Sequence, residues 1–167
     1  MEAGKDKKEM KDFVIVGPMT ALQYCAFFPL LKEGKVFVGP THINKFNGGI
    51  AVTNWYNTLN VCGEEALPKT EKYTPEKFPK YDNYEAIEVG RISKIPQDYN
   101  GVMGVPVSFF NYRNDLYEII GYVNGCKTEG AKYLIQGEGT PNKKGTIRYN
   151  LFCRGKEMYS RVLIKKK

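Results

Sequence analysis

Hydrophobic positions fall into two regimes along the chain. Near the start, Phe13-Val14-Ile15-Val16 is an unbroken apolar run, the pattern of a strand covered on both faces in a parallel sheet. Gly17-Pro18 ends it. Thr20 to Glu33 then carries apolar residues at helical spacing, namely Ala21, Leu22, Cys25 and Phe28. Thr20 is the predicted N-cap, Gly34 the stop, and Pro29 a kink or restart. Val36-Phe37-Val38 follows as a short second strand, which makes a crossover unit expected to be right-handed. Such a unit does not stand alone, and only a dozen mostly polar residues precede it. The pattern therefore predicts a sheet completed from elsewhere, as in the back half of a larger protein.

The second regime is one of short strands. Pro40 to Gly49, rich in Asn, Gly and Thr, reads as a loop, after which Ile50-Ala51-Val52-Thr53-Asn54-Trp55-Tyr56 resumes a strand pattern. A connection this short favours an antiparallel return. From Asn60 to Lys80 the chain holds Pro68, Pro75 and Pro79 among many Glu and Lys, a linker or exposed excursion. Strand-like stretches then alternate with turns: 86–89, 105–110, 117–123, 132–136, 146–152 and 158–164. Arg154-Gly155 is a predicted hairpin turn, and Gly101 and Gly104 mark backbone that a side chain would obstruct. The expected organisation is an α/β part over 1–60, a linker or exposed loop over 61–80, and a β-rich part over 81–167.

Composition narrows the class. In 167 residues, 42% hydrophobic content with nine Phe and twelve Tyr supplies a core and excludes disorder throughout. No apolar run approaches the ~20 residues of a membrane helix, and the N-terminus lacks a signal-type apolar stretch. A soluble, cytoplasmic protein is expected. Cys25, Cys62, Cys126 and Cys153 are unevenly spaced, and His42 is the single histidine. Buried reduced thiols are therefore expected in preference to a metal site.

The formal charge of +7 suits a polyanionic partner, or solubility alone. Basic residues gather at 5–11, 69–80, 143–148 and 161–167. The second cluster is interleaved with Glu71, Glu76, Tyr73, Phe78 and Tyr81, and reads equally as a solvated loop face. In the third, Lys143 and Lys144 occupy a predicted turn and, with Arg148, are candidates for phosphate contact. The terminal lysines of the last cluster read as a frayed tail.

Familiar catalytic motifs are absent. The sequence holds no Gly-x-Gly-x-x-Gly after a strand, no phosphate-binding Gly-x-x-x-x-Gly-Lys loop and no Gly-x-Ser-x-Gly elbow. Glu64-Glu65 and Asp82 with Glu85 read as solvated charge. Asn54-Trp55-Tyr56-Asn57 carries more information, because alternation places Trp55 and Tyr56 on opposite faces of a strand. An exposed aromatic flanked by amides can stack on an unpaired base and bond its edge. Core packing is the first reading for Trp55, while Tyr56 reads equally as a core residue and as the stacking candidate.

Several blocks in order carry a resemblance. They are Phe13 to Gly17, Phe28 to Lys35, Trp55 to Leu59, Pro79-Lys80-Tyr81-Asp82-Asn83-Tyr84-Glu85-Ala86-Ile87, Ile95 to Pro106, and the ending Gly155-Lys156, Tyr159, Arg161 and Val162 to Lys165. Over most of its length the chain resembles the C-terminal portion of the EcoRI-type adenine-specific DNA methyltransferases. That implies methyl transfer from S-adenosylmethionine to adenine N6 in a short duplex sequence, within restriction-modification. It also implies an α/β fold: the C-terminal part of a class I methyltransferase (Rossmann-like) mixed sheet over 1–60, followed by a β-rich DNA-recognition region over 81–167. Phe13–Val16 and Val36–Val38 become the fifth and sixth strands, with Ile50–Tyr56 the antiparallel seventh inserted between them.

Tyr56, with Asn54 and Trp55, is then the candidate for the target adenine. Such enzymes also carry a glycine-bearing cofactor loop and an Asn-Pro-Pro-aromatic catalytic loop, and neither occurs in this sequence. No catalytic or cofactor-binding residue is assigned, and S-adenosylmethionine is expected only in the complete enzyme, none for this chain alone. The expectation is a C-terminal fragment that contributes DNA recognition and is inactive alone, partnered by duplex DNA and a separate N-terminal methyltransferase half. The alternative is a stand-alone, non-catalytic nucleic-acid-binding module.

Overall fold

A computed structural model of the chain describes residues 11–24, 26–46, 49–61, 71–112, 116–123, 133–137, 139–141, 145 and 147–167. Mixed sheets with few helices make up the fold. The first three strands, β1 (Val14–Pro18), β2 (Phe37–Phe46) and β3 (Gly49–Asn57), form one sheet in the order β1-β3-β2. Because β3 is antiparallel to both neighbours, β1 and β2 run parallel with β3 inserted between them, the order the resemblance implies.

Three local expectations are corrected here. Pro40 to Gly49 is mostly strand, since β2 continues to Phe46 through register shifts after Val38 and after Ile43. Pro40 is tolerated because β2 is a sheet edge and the ladder is interrupted there. The helix expected over 20–33 is instead a 3-10 turn, Met19–Gln23, and a five-residue helix α1 (Phe28–Lys32). Thr20 lies inside that turn, whose N-cap is Pro18 without a side-chain bond. Pro29 restarts the helix from its first turn, where its missing N–H leaves no gap, and the chain leaves α1 at Gly34. Finally, the apolar run of β1 is not covered on both faces: Val14 is 53% and Ile15 48% exposed. Beside β3, β1 has no other strand partner among the described residues.

The remaining strands are β4 (Ile87–Glu88), β5 (Met103–Pro106), β6 (Tyr117–Val123), β7 (Leu134–Ile135), β8 (Thr140–Pro141), β9 (Ile147–Arg148), β10 (Phe152–Cys153), β11 (Lys156–Glu157) and β12 (Arg161–Lys166). Five of them form a sheet in the order β4-β5-β12-β6-β7, and β8-β9 and β10-β11 are separate hairpins. The central strand is β12, antiparallel to β5 and β6. Its alternation fills both faces: Val162 and Ile164 pack with Phe78, Ile87, Ile95 and Met103, while Leu163 packs with Tyr81, Ala86, Leu151 and Cys153. The basic ending is therefore not a tail. Lys165 and Lys166 pair with Glu118 and Tyr117 in the ladder, and the Lys166 ammonium donates to the Gln97 carbonyl at 2.8 Å.

Helix α1 joins the two sheets. The buried Phe28 ring lies 4.4 Å from that of Tyr122 on β6, and the Lys32 ammonium donates to the Ile120 carbonyl at 3.0 Å while sitting 4.2 Å over the Tyr133 ring. Cys153 is a buried free thiol, and the other three cysteines lie outside the described residues. No helix is long and apolar enough to cross a membrane among the described residues.

Candidate nucleic-acid interface

Asn54 to Asn57 sit at the centre of the first sheet, with Trp55 and Tyr56 on opposite faces of β3. Tyr56 is 1% exposed. Gly17 leaves room under its ring, Phe27 meets it edge-on at 4.9 Å, and its hydroxyl donates to the Pro18 carbonyl at 2.8 Å. Burial pushes the Tyr56 phenol above its usual range, and a hydrogen bond with Asn54 opposes the shift. Tyr56 is therefore packed in the core of this chain. Trp55 is the half-buried one, with its Cβ close over Gly39 on the other side of the sheet. Asn54 is buried, and Asn57 is structural: its amide donates to the Val61 carbonyl at 2.7 Å and accepts the Val61 N–H at 3.1 Å.

Of the three phosphate candidates, Arg148 is half-buried on β9, opposite Thr140. Lys143 and Lys144 lie outside the described residues. Among the described residues, no group of three or more His, Cys, Asp or Glu comes together as a metal site.

A buried polar constellation not expected from the sequence lies in the second sheet. Arg161 on β12 meets Glu88 on β4 through Nη2 at 2.6 Å and Nε at 3.1 and 3.2 Å, and the Tyr81 hydroxyl donates to the other side of the same carboxylate. A Cβ at position 104 would collide with that hydroxyl, so only glycine lets Tyr81 cross β5. Arg161 Nη1 continues to the carbonyls of Tyr159 at 3.3 Å and Ser160 at 3.4 Å. Burial, then the charge and hydrogen bond of Glu88, hold the Tyr81 phenol protonated well above its ordinary range. For Arg161, burial works against the charge, and Glu88 outweighs it. The available signal was a charged residue set in an apolar run, Glu88 between Ile87 and Val89 and Arg161 before Val162-Leu163-Ile164.

Next to this pair, Asp82 and Asn83 grip the β10–β11 hairpin. Asp82 accepts the N–H groups of Arg154 at 3.1 Å and Gly155 at 2.7 Å, while Asn83 accepts the Phe152 N–H and donates to the Asn150 carbonyl, both at 2.9 Å. Arg154 and Gly155 form the predicted turn with φ +52° and +70°, the primed type that suits a two-residue hairpin. Asp82 is thus not idle solvated charge. Burial first, then the Glu88 and Asp82 charges, push the nearby Cys153 thiol up, which makes it a poor nucleophile. The constellation positions backbone and leaves no acid, base or nucleophile poised for reaction.

This geometry lies inside a sequence match. Residues 47–167 fit a family model described as adenine-specific methyltransferase EcoRI. The chain belongs to the EcoRI-type adenine-specific methyltransferase family. It is similar to the Type II methyltransferase M.EcoRI of Escherichia coli, 32% identical across 94% of this chain and 51% of that protein. M.MgeORF184P of Mycoplasma genitalium is 28% identical across 93% of this chain and 57% of that protein, and M.MpnI of Mycoplasma pneumoniae 28% across 94% and 57%. The chain spans about half the length of the curated relatives it matches. No solved structure matches it. Within the matched residues, Tyr81 bonds Glu88, which holds Arg161 of β12, and Asp82 and Asn83 hold the β10–β11 hairpin.

Proposed function

We propose that this chain supplies the C-terminal part of a DNA adenine-N6 methyltransferase, contributes DNA recognition, and has no activity alone. The observation that carries this reading is the family match across residues 47–167, joined to coverage of only about half of each relative. The edge of β1 supports it, because among the described residues β1 pairs only with β3 and the exposed Val14 and Ile15 offer an apolar surface for further strands. In the proposal the first sheet is the margin of a Rossmann-like methyltransferase sheet, and the five-stranded sheet with its hairpins faces duplex DNA. Trp55, half-buried on the face of β3 opposite Tyr56, takes over the aromatic role expected of Tyr56.

S-adenosylmethionine belongs to the complete enzyme in this reading, and the residues present do not fit it. A cleft of about 420 Å³ runs between α1 and the 3-10 turn Val107–Asn111, with apolar walls from Leu31, Val36, Val38 and Phe110, and the carboxylate at its rim, Glu33, is paired with Lys35 at 2.8 Å. It offers neither a glycine loop nor a free carboxylate for a ribose.

The test is reconstitution. The chain is mixed with the N-terminal half of the Escherichia coli relative, and transfer of a labelled methyl group to adenine in duplex DNA is measured. Transfer by the mixture and by neither half alone is expected. No gain over the separate halves counts against the reading, and salt-dependent DNA binding without any gain would instead favour a stand-alone binding module.

A further inference from the structure

Resting on the reading that this chain engages DNA, we infer that the β10–β11 hairpin with Tyr159 is a ribbon that enters a groove of the duplex and reads base edges. Its turn is built against local preference. Asn or Gly suits the first position of a primed turn, yet Arg154 occupies it at φ +52°. A long side chain held in the left-handed region persists where its head group has a use and the surroundings fix the backbone.

The surroundings do fix it. Two paired residues on each strand cannot hold a hairpin in water. Asp82 bonds both turn N–H groups across 72 and 73 positions of sequence, and Asn83 bonds the base of β10. The Asp82 carboxylate is turned to backbone N–H groups, while Arg154 and Lys156 are exposed at the tip and the exposed Glu157 beside them accepts from Asn150 at 2.6 Å. One contact, from Arg154 Nη2 to the Glu76 carbonyl at 3.3 Å, steadies the guanidinium.

Tyr159 completes the surface. It is 89% exposed, yet its carbonyl is held by Arg161, which Glu88 anchors in the core. An aromatic on a fixed backbone at the base of a hairpin whose tip carries two cations matches a base-contacting ribbon, because the major groove admits a two-stranded β-ribbon and arginine pairs with the guanine edge.

Selection from a random duplex library, with the full chain and its Arg154→Asn and Tyr159→Leu variants, tests this. Asn keeps the turn and shortens the reach, and Leu at 159 leaves the carbonyl that Arg161 holds. The parent is expected to enrich a sequence, and each variant to lose about tenfold or more of its preference at neighbouring base pairs, with melting unchanged or raised. Equal enrichment by parent and variants overturns the ribbon and leaves the proposed function standing. A uniform loss of affinity without sequence preference also overturns it, by making the hairpin a phosphate contact. A parent that binds no duplex DNA removes the underlying reading, and the ribbon with it.

Discussion

Glu88→Gln keeps the side chain's shape and strands a guanidinium in the core. Both side chains of the Glu88–Arg161 pair are 9% exposed, so water screens them little. Glu88 receives three guanidinium contacts of 2.6 to 3.2 Å and the Tyr81 hydroxyl. Removing one partner of a buried pair costs about 3–5 kcal/mol. Gln retains one acceptor oxygen, and the Tyr159 and Ser160 carbonyls still hold Nη1. These contacts place the expected loss at the lower end, about 3 kcal/mol, a fall in Tm of roughly 6–12 °C for a chain of this length. Urea unfolding followed by tyrosine near-ultraviolet dichroism reads it. The triple variant Tyr81→Phe, Glu88→Leu, Arg161→Met should recover most of the loss, because the desolvation cost goes with the charges and no buried hydroxyl is left without its acceptor. A Glu88→Gln chain within about 0.5 kcal/mol of the parent would refute the assignment of a desolvated, stability-bearing pair.

Three further outcomes follow from named contacts. Gly104→Ala drives a methyl group onto the Tyr81 hydroxyl and should cost about 3 kcal/mol in urea unfolding, whereas Gly90→Ala, whose Cβ finds nothing nearer than Glu88 Oε1 at 3.8 Å, should cost less than about 1 kcal/mol. The folded-state pKa of Tyr81 lies above its ordinary 10.0, so the associated stabilisation is complete below pH 10.0 and is lost as pH rises past it, by about 1.4 kcal/mol per pH unit for one phenol. Tyr81→Phe should flatten that alkaline decline by one proton in unfolding measured from neutral to strongly alkaline pH. Ile15→Lys puts a charge on the open edge of β1 and should leave the chain's own unfolding within about 0.5 kcal/mol while abolishing reconstitution of methyl transfer.

What could be read from the sequence was what local sterics decide. Tyr117–Val123 is a strand residue for residue, Arg154-Gly155 is a turn because Gly155 accepts φ +70°, and Gly104 is obstructed as its setting implied. Composition misled where pairing overrode it. Asn, Gly and Thr between Pro40 and Gly49 suggested a loop, but antiparallel pairing with β3 carries the strand through. Period-2 alternation told that Trp55 and Tyr56 oppose each other without telling which faces inward. Gly17 and Phe27, neighbours from β1 and from the turn before α1, decide that. Glu88 and Arg161 are 73 positions apart, and nothing in one chain's residue pattern names so distant a partner.

The two sheets solve their edges differently, and that difference makes the two proposed surfaces separable. In the second sheet β12 lies between β5 and β6, so apolar side chains from both faces close over it, and the buried Arg161 then fixes the backbone leading to the exposed Tyr159. Rigidity at the ribbon is thus drawn from the middle of a filled core. In the first sheet the contacts to the second run through α1, where Phe28 meets Tyr122 and Lys32 bonds the Ile120 carbonyl. Those contacts leave Val14 and Ile15 of β1 in solvent. A partner can therefore extend β1 without displacing the joint between the sheets, and without touching the residues that hold the ribbon. Loss of reconstitution at Ile15 and loss of sequence preference at Arg154 or Tyr159 would consequently report on different contacts. A substitution at Glu88, beneath both Tyr81 and Arg161, should impair the reading surface through stability before it affects the open edge.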